Sequence, residues 1–235
     1  MSYLLTANEK ERLKDGIRAA FAIPFIDDVE DFIWEAIFSY AKNIPLSDPL
    51  TTIRKKLLFD IVDTKSSIGW SAKTILWQIR PRCEFEVVIQ RADILKKSRK
   101  LGFGHLTKDS PPDILGQALL THWYHKKVLA DSITQNVKEM RVCILLKSKN
   151  RKQYAFIEEK LKQYHPEELE WKWTDEQKNG LQGIRKNDGF RVFRWYPNQT
   201  HFFERFVMPQ HTEIFNLNPK RLPVGEVIEM LMSRI

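Results

Sequence analysis

The amino-acid sequence predicts a mixed α/β fold, and three observations lead to this expectation. Apolar residues make up 43% of the 235-residue chain, which is enough to form a hydrophobic core. Segments with the 3.6-residue period of helices alternate with short runs that are typical of strands. No internal repeat, low-complexity stretch or clear linker divides the sequence, so we expect one domain over residues 1–235.

Helices are predicted at the beginning, in the middle and at the end of the chain. Thr6 followed by Glu9 forms a capping-box pattern, which predicts a helix that runs to about Phe21. A second helix is expected over residues 27–43, because acidic residues crowd its first turn, where the helix dipole favours them. The remaining predicted helices cover residues 113–130, 149–164 and 223–235.

Strands are predicted where apolar and aromatic runs lie between turn-forming residues. Residues 57–78 are expected to form a β-hairpin, because two apolar runs flank a turn sequence at 64–69. Residues 91–112 contain glycines, prolines and many basic residues, which predicts a long loop or a poorly ordered segment. The other predicted strands cover residues 83–90, 141–146, 169–173, 189–196 and 201–208.

The predicted hairpin contains an acidic residue in the middle of an apolar strand. Burying Asp60 there is costly unless a partner or a metal ion offsets its charge. A turn centred near Ser66 puts Asp60 opposite Ala72. The Asp60 carboxylate then lies close to Ser71 and Lys73, which share one strand face because side chains alternate with a period of two. These three groups can form a metal-binding site that cuts phosphodiester bonds.

Each of these residues has an expected chemical role. Asp60 would bind Mg²⁺, which prefers oxygen ligands, and Lys73 would stabilise negative charge on the phosphate or help to deprotonate water. Ser71 could position a metal-bound water. Asp63 near the turn and Glu35 on the second helix are further carboxylates that could assist.

Each residue also has a structural alternative that the sequence leaves open. Asp60 and Lys73 could form an ion pair without catalytic function, and Ser71 could be an ordinary strand residue. Asp63 could serve only to form the turn, since aspartate side chains often hydrogen-bond to backbone groups in turns. Glu35 could be a solvated acid on the helix surface.

Asp60 and Lys73, the latter within Trp70–Ser71–Ala72–Lys73, resemble the active-site motif of the PD-(D/E)XK nuclease superfamily. The order of predicted elements over residues 27–146 is also similar to the core of that family. Both have an acidic helix, a hairpin, a third strand, a helix and a further strand. The sequence departs from the motif at Phe59, where the family has proline, and at Ser71, where it has Asp or Glu.

This resemblance implies a restriction-endonuclease-like core, in which helices flank a mixed β-sheet, with residues 147–235 completing the sheet and the DNA-recognition surface. The implied activity is Mg²⁺-dependent, site-specific cleavage of double-stranded DNA by a type II restriction enzyme. Two alternatives stay open, namely a repair or nicking nuclease of the same fold and a non-catalytic DNA-binding regulator. The implied catalytic residues are Asp60, Ser71, Lys73 and Glu35, and the implied metal ligands are Asp60 and Asp63.

The charge of the chain favours a polyanionic partner such as DNA. The net charge is +8 and the isoelectric point is about 9.4. Contacts from lysine and arginine to phosphates dominate the affinity of proteins for DNA. The basic residues predicted to bind DNA are Arg91, Lys96, Lys97, Arg99, Lys100, Arg185, Lys186, Arg191 and Arg194.

The remaining signals concern compartment and assembly. No apolar run approaches the length of a membrane span and no secretory pattern opens the chain, so we expect a cytoplasmic protein without a membrane partner. Cys83 and Cys143 lie in apolar runs and are expected to be reduced, buried thiols. A homodimer would match the two-fold symmetry of DNA, whereas a monomer would have to nick the two strands in turn.

Overall fold

The computed structural model describes residues 4–46 and 57–233, and the fold class is mixed α/β, as the sequence predicts. Short 3-10 turns cover Ser98–Leu101 and Pro166–Glu168. A π-helical stretch, Thr121–Leu129, directly follows the helix at Pro112–Leu120. The helices are α1 (Ala7–Ala22), α2 (Asp31–Lys42), α3 (Ile94–Lys97), α4 (Pro112–Leu120), α5 (Ala130–Thr134) and α6 (Val224–Met232). The strands are β1 (Ile61–Asp63), β2 (Ile68–Leu76), β3 (Glu84–Arg91), β4 (Glu139–Lys147), β5 (Gln153–Lys160), β6 (Leu169–Trp173), β7 (Leu181–Arg185), β8 (Arg191–Tyr196), β9 (His201–Val207) and β10 (Ile214–Asn216).

The chain forms two compact units, although the sequence predicts a single domain. Unit 1 comprises the described residues within 1–83, 135–161 and 208–235, and unit 2 comprises residues 84–134 and 162–207. Each unit has its own five-stranded sheet. The chain passes between the units four times, so the boundary is not marked by one linker that the sequence could reveal.

The sheet of unit 1 has the strand order β1–β2–β4–β5–β10. Strands β2 and β4 are parallel, and the other neighbouring strands are antiparallel. Helices α1 and α2 cover one face, where Trp34 and Phe38 pack against Trp70 and Cys143. The central strand β4 is buried from Val142 to Lys147, because it has a strand on each side.

Several predicted elements of unit 1 are confirmed. Thr6 caps α1 through the expected reciprocal hydrogen bonds with Glu9. The hairpin forms as β1 and β2, and the buried strand predicted at 141–146 is β4. The closing helix is α6, which directly follows Pro223.

One predicted helix is wrong, and one predicted strand lies in the sheet of the other unit. Residues 149–164 were expected to form a helix but contain β5, which pairs with β4 on one side and β10 on the other. The residues around Tyr154 and Ile157 fit a helical period, but hydrogen bonding to β4 determines the conformation of this segment. The strand predicted at 83–90 is confirmed as β3, and it pairs with β9 in the sheet of unit 2 and not with the hairpin that precedes it.

Unit 2 contains an antiparallel sheet with the strand order β3–β9–β8–β7–β6. Its inner face is aromatic, with the rings of Trp171, Phe193 and Phe202 stacked in sequence. Helix α4 packs closely on this face, since a Cβ atom added to Gly116 would lie 2.3 Å from the Trp171 ring. The segment predicted as a loop at 91–112 contains α3 and a 3-10 turn, and β7 was not predicted.

Two predictions made from the composition can also be compared with the structure. Cys83 and Cys143 are both free and buried, as expected. Burial raises the pKa of the Cys143 thiol well above its usual value, which keeps the thiol protonated. Within the described ranges, no helix is long and apolar enough to cross a membrane.

Candidate active site at the open edge of strand β2

The hairpin brings Asp60 to the side of β2. Ile61 lies opposite Trp70 and Val62 lies opposite Gly69, so the same register carried one residue further puts Asp60 beside Ser71. This register differs by one residue from the predicted pairing with Ala72. The Asp60 carboxylate nevertheless reaches Ala72, whose backbone N–H donates to Oδ2 at 2.8 Å. The Asp60 N–H in turn donates to the carbonyl of Trp70 at 2.9 Å.

Lys73 extends from β2 toward the same carboxylate. Its Nζ lies 3.8 Å from Asp60 Oδ2 and donates to the carbonyl of Ala72 at 3.0 Å. Both side chains are 23% exposed, so the pair is partly shielded and still reached by solvent. The structure therefore brings together the two residues that carry the sequence motif.

The residue before Asp60 is held firmly in place. Phe59 is buried, and its backbone forms two hydrogen bonds with the Gln135 side chain, at 3.3 and 2.7 Å. Its ring packs on Gly69, where an added Cβ would lie 2.8 Å from the ring. The PD-(D/E)XK motif has proline at this position, and the proline ring restricts the backbone. Here the packing of Phe59 and its two hydrogen bonds with Gln135 hold the backbone instead.

A buried carboxylate anchors β2 from the helical side of the sheet. Glu158 is fully buried and accepts hydrogen bonds from Trp70 Nε1 at 2.8 Å and from Arg141 Nη1 at 2.7 Å. Lys42 lies 3.6 Å from its other oxygen. These partners offset the cost of burying the charge. Because Trp70 points to this side, the next residue of the strand, Ser71, points to the opposite face.

Ser71 is buried on that opposite face, with only 4% exposure. Its Oγ has no hydrogen-bond partner among the described residues. A buried hydroxyl without a partner is uncommon, because it loses its hydrogen bonds to water without replacement. Ser71 and Lys73 lie on one face as predicted, with Val142 and Ile144 beside them on β4.

A second carboxylate, Asp31, lies along the same edge of β2. Oδ1 of Asp31 accepts hydrogen bonds from the backbone N–H of Thr74 at 3.0 Å and from its hydroxyl at 2.9 Å. Strand β1 pairs only as far as Trp70, and beyond it Asp60 and Asp31 accept hydrogen bonds from the backbone N–H groups of Ala72 and Thr74 on the open edge. Sequence analysis did not identify Asp31 as a site residue, since the contact joins residues 43 positions apart and no local spacing signals it.

The other two predicted carboxylates have different surroundings. Asp63 accepts hydrogen bonds from Ser66 Oγ at 2.5 Å and from Lys65 N at 3.0 Å, and the Ser66 contact lowers the pKa of Asp63. Asp63 therefore stabilises the turn, which is the structural role that the sequence leaves open for it. Glu35 is buried on α2, one turn after Asp31. No group of three or more His, Cys, Asp or Glu residues in the described ranges is placed to hold a metal ion.

All residues predicted to bind DNA lie in unit 2. The first basic segment comprises Arg91, Lys96, Lys97, Arg99 and Lys100. These residues lie at the end of β3, on α3 and on the 3-10 turn, and each is exposed. The Nζ of Lys97 lies 3.4 Å from Nε2 of the mostly buried His122, whose pKa is lowered by burial and by the Lys97 charge.

The second basic segment comprises Arg185, Lys186, Arg191 and Arg194, and its three arginines are paired with acids. Arg185 forms a bidentate ion pair with Asp188, in which Nε donates to Oδ1 at 2.9 Å and Nη2 donates to Oδ2 at 2.5 Å. This pair raises the pKa of the arginine. Glu86 lies 2.6 Å from Arg191 and 3.6 Å from Arg194. DNA would have to compete with these carboxylates for the guanidinium groups. Lys186, which follows β7, is exposed.

The comparisons with known proteins identify no relative. The chain matches no family model, no curated protein and no solved structure. The resemblance to PD-(D/E)XK nucleases therefore depends on the hairpin residues and on the order of elements alone.

Proposed function

We propose that the chain is a Mg²⁺-dependent, site-specific endonuclease that cuts double-stranded DNA, with its active site at the open edge of β2. The observation that carries this proposal is the 3.8 Å approach of Lys73 Nζ to Asp60 Oδ2. A carboxylate that can bind a metal ion and an ammonium group that can stabilise a phosphate are thereby held side by side. The net charge of +8 supports a polyanionic substrate.

The residues at this edge are compatible with Mg²⁺ under one condition. Mg²⁺ is commonly bound by one or two carboxylates together with substrate phosphates and water. Asp60 supplies a suitable oxygen, and Asp31 is a second carboxylate on the same edge. The described residues contain no group of three ligands, so the DNA phosphates would have to complete the coordination.

The roles of the protein groups follow from their positions. When bound, Mg²⁺ would polarise the phosphate and make a bound water more acidic. Lys73 would stabilise the negative charge that develops on the phosphate oxygens. The hydrogen bond from Ala72 would keep the Asp60 carboxylate in a fixed orientation. Ser71 is too deeply buried to contact a phosphate, and its unpaired hydroxyl would instead hold a water.

Plasmid cleavage by the wild type and by Asp60→Asn tests this proposal. With Mg²⁺ we expect the wild type to cut at discrete sites, whereas Asp60→Asn should bind DNA at least as well and not cut it. Asn keeps an acceptor for Ala72 but removes the charge that would hold the metal ion. Asp63→Asn is the matched control, since that carboxylate serves the turn and cleavage should persist. Cleavage by Asp60→Asn at the wild-type rate would contradict the assignment.

A non-catalytic DNA-binding regulator is the second candidate. It is favoured by Ser71 in the position of the family acid and by the lack of three grouped metal ligands in the described part of the chain. The same assay distinguishes the two candidates. Plasmid binding without cleavage by the wild type would favour the regulator, and random degradation would favour a repair-type nuclease. A wild type that neither binds nor cuts plasmid DNA would exclude the site-specific nuclease, the repair-type nuclease and the regulator.

A further inference from the structure

A cavity of about 260 Å³ lies within unit 1, between helix α1 and the edge strand β10. The loop before β10 and one residue of β5 complete its wall. Its apolar lining includes Leu5, Leu13, Phe156 and Phe215. A cavity of about 150 Å³ with walls of this kind binds benzene, so the volume here is sufficient for two fused rings. The cavity is distinct from the candidate active site, because none of its described lining residues belongs to the open edge of β2.

The strand register accounts for the aromatic wall of the cavity. Phe215 of β10 lies opposite Tyr154 of β5, and the same register carried beyond Ile214 puts Glu213 opposite Phe156. Because side chains alternate with a period of two, these groups share one face of the sheet, which is the face that α1 covers. The Phe215 ring is held by stacking on Tyr154, with 5.8 Å between the ring centroids. Water against such a wall makes few hydrogen bonds, so an apolar group that displaces it gains affinity.

The polar end of the cavity is an ion cluster in which positive and negative charges balance. Oε2 of Glu213 accepts a hydrogen bond from Lys10 Nζ at 3.0 Å, and Oε1 lies 3.0 Å from Lys14 Nζ. Lys14 also pairs with Glu11 at 3.0 Å, so two lysines face two glutamates. A carboxylate on a ligand would have to displace Glu213 from the lysines, and an ammonium group would be repelled by them. The cluster therefore favours a ligand without net charge.

Glu213 can accept a further hydrogen bond from such a ligand. A carboxylate offers about four acceptor sites, and the two lysine contacts occupy one on each oxygen. The Glu213 side chain lines the cavity and is 44% exposed, so a ligand inside can reach it. We infer that the cavity binds a neutral, flat aromatic molecule of one or two rings that carries an N–H or O–H donor. The rings would lie against Phe156 and Phe215, and the donor would bind Glu213.

Titration with indole and with benzofuran tests this assignment, because the two molecules have the same shape and only indole carries an N–H donor. In calorimetric titrations of the full chain, we expect saturable binding of indole with a dissociation constant in or below the millimolar range. Benzofuran should bind about 10-fold more weakly, since it cannot donate a hydrogen bond to the charged acceptor. No saturable binding of indole, or equal affinity for the two molecules, would overturn the assignment.

Glu213→Gln tests whether this binding occurs in the cavity. Glutamine keeps an acceptor but removes the charge, so the ratio between the two affinities should fall from about 10-fold to about 3-fold or less. Glu229→Gln is the matched control, because Glu229 is an exposed glutamate of unit 1 outside the lining, and the ratio should not change there. An unchanged ratio in Glu213→Gln would place the bound indole elsewhere and overturn the assignment.

The same titration identifies other occupants of the cavity. Tighter binding of indole-2-carboxylate than of indole would mean that Lys10 and Lys14 receive an acid, and would overturn the neutral class of ligand. Residues 1–3 lie outside the described residues and precede Leu4, which also lines the cavity. Binding of indole that occurs only after residues 1–3 are removed would assign the cavity to those residues and overturn the ligand site. The proposed nuclease activity does not enter this test, because the titrations use neither DNA nor Mg²⁺.

Discussion

Replacing Lys73 by methionine tests the proposed chemistry with little effect on the fold. Methionine keeps most of the aliphatic stem and removes the ammonium group. Asp60 keeps its hydrogen bond from Ala72. Both side chains of the ion pair are 23% exposed, and pairs of this kind contribute about 1 kcal/mol or less. We therefore expect the free energy of unfolding to change by no more than that amount.

The expected effect on cleavage is much larger. A phosphate held at Asp60 would lie within a few ångströms of Lys73 Nζ, given the 3.8 Å between Nζ and Oδ2. At an effective dielectric constant of about 20, unit charges separated by about 4 Å interact by about 4 kcal/mol. Solvent access reduces this value, to about half if the screening is strong. The corresponding loss in cleavage rate lies between roughly 30-fold and 1,000-fold.

The assay is the single-turnover rate of plasmid cleavage under saturating enzyme, which separates the chemical step from binding and release. Lys65→Met is the matched control, because Lys65 lies exposed in the turn of the same hairpin and should not affect the rate. Unchanged cleavage by Lys73→Met would refute the role of Lys73. An equal loss in both variants would mean that the hairpin, and not the ammonium group, had been disturbed.

Three further predictions concern DNA binding, packing and pH. Replacing Lys96, Lys97, Arg99 and Lys100 by alanine should weaken binding to specific and random DNA alike and flatten the salt dependence by about 0.9 per lost contact, as measured by titration at several salt concentrations. Gly116→Ala should destabilise the protein by about 2 kcal/mol or more, because its Cβ meets the Trp171 ring, whereas Gly225→Ala, in open space, should stabilise it slightly in the same denaturant series. Burial tends to raise the pKa of Asp28, but Lys147 and Arg151 outweigh burial and lower it. Its stabilising contribution should therefore be present above the ordinary aspartate pKa and disappear as pH falls through the lowered value, so Asp28→Asn should lose stability at pH 7 relative to the wild type and little at low pH.

The parts of unit 1 that the sequence predicts well are those specified by local signals. The capping box at Thr6, the turn residues around Ser66 and the apolar run of β4 each determine a structure over a few neighbouring residues. The proximity of Asp60 and Lys73 follows from hairpin geometry, which tolerates an error of one residue in the register because the Lys73 side chain is long.

The features that the sequence does not reveal depend on contacts between distant residues. Strand β5 contains residues with a helical period, and its conformation is set by β4 and β10. Strand β3 follows the hairpin directly but pairs with β9, more than 100 residues later. Asp31 reaches Thr74 through the packing of α2 on the sheet. No periodicity within a window of one element carries this information.

Ser71 is the residue at which the two candidate functions differ most, and Ser71→Asp separates them. Its side chain is buried and its Oγ has no partner in the described part of the chain, so an introduced carboxylate would be costly to bury. If a divalent cation binds beside Asp60, Ser71→Asp should unfold at a lower temperature than the wild type in a chelator and recover when Mg²⁺ or Ca²⁺ is added. Ser71→Ala is the control and should be nearly neutral under both conditions, since it removes a hydroxyl that makes no hydrogen bond. The same unfolding temperature of Ser71→Asp with and without the cation would argue against a metal site at this edge and would favour the non-catalytic regulator.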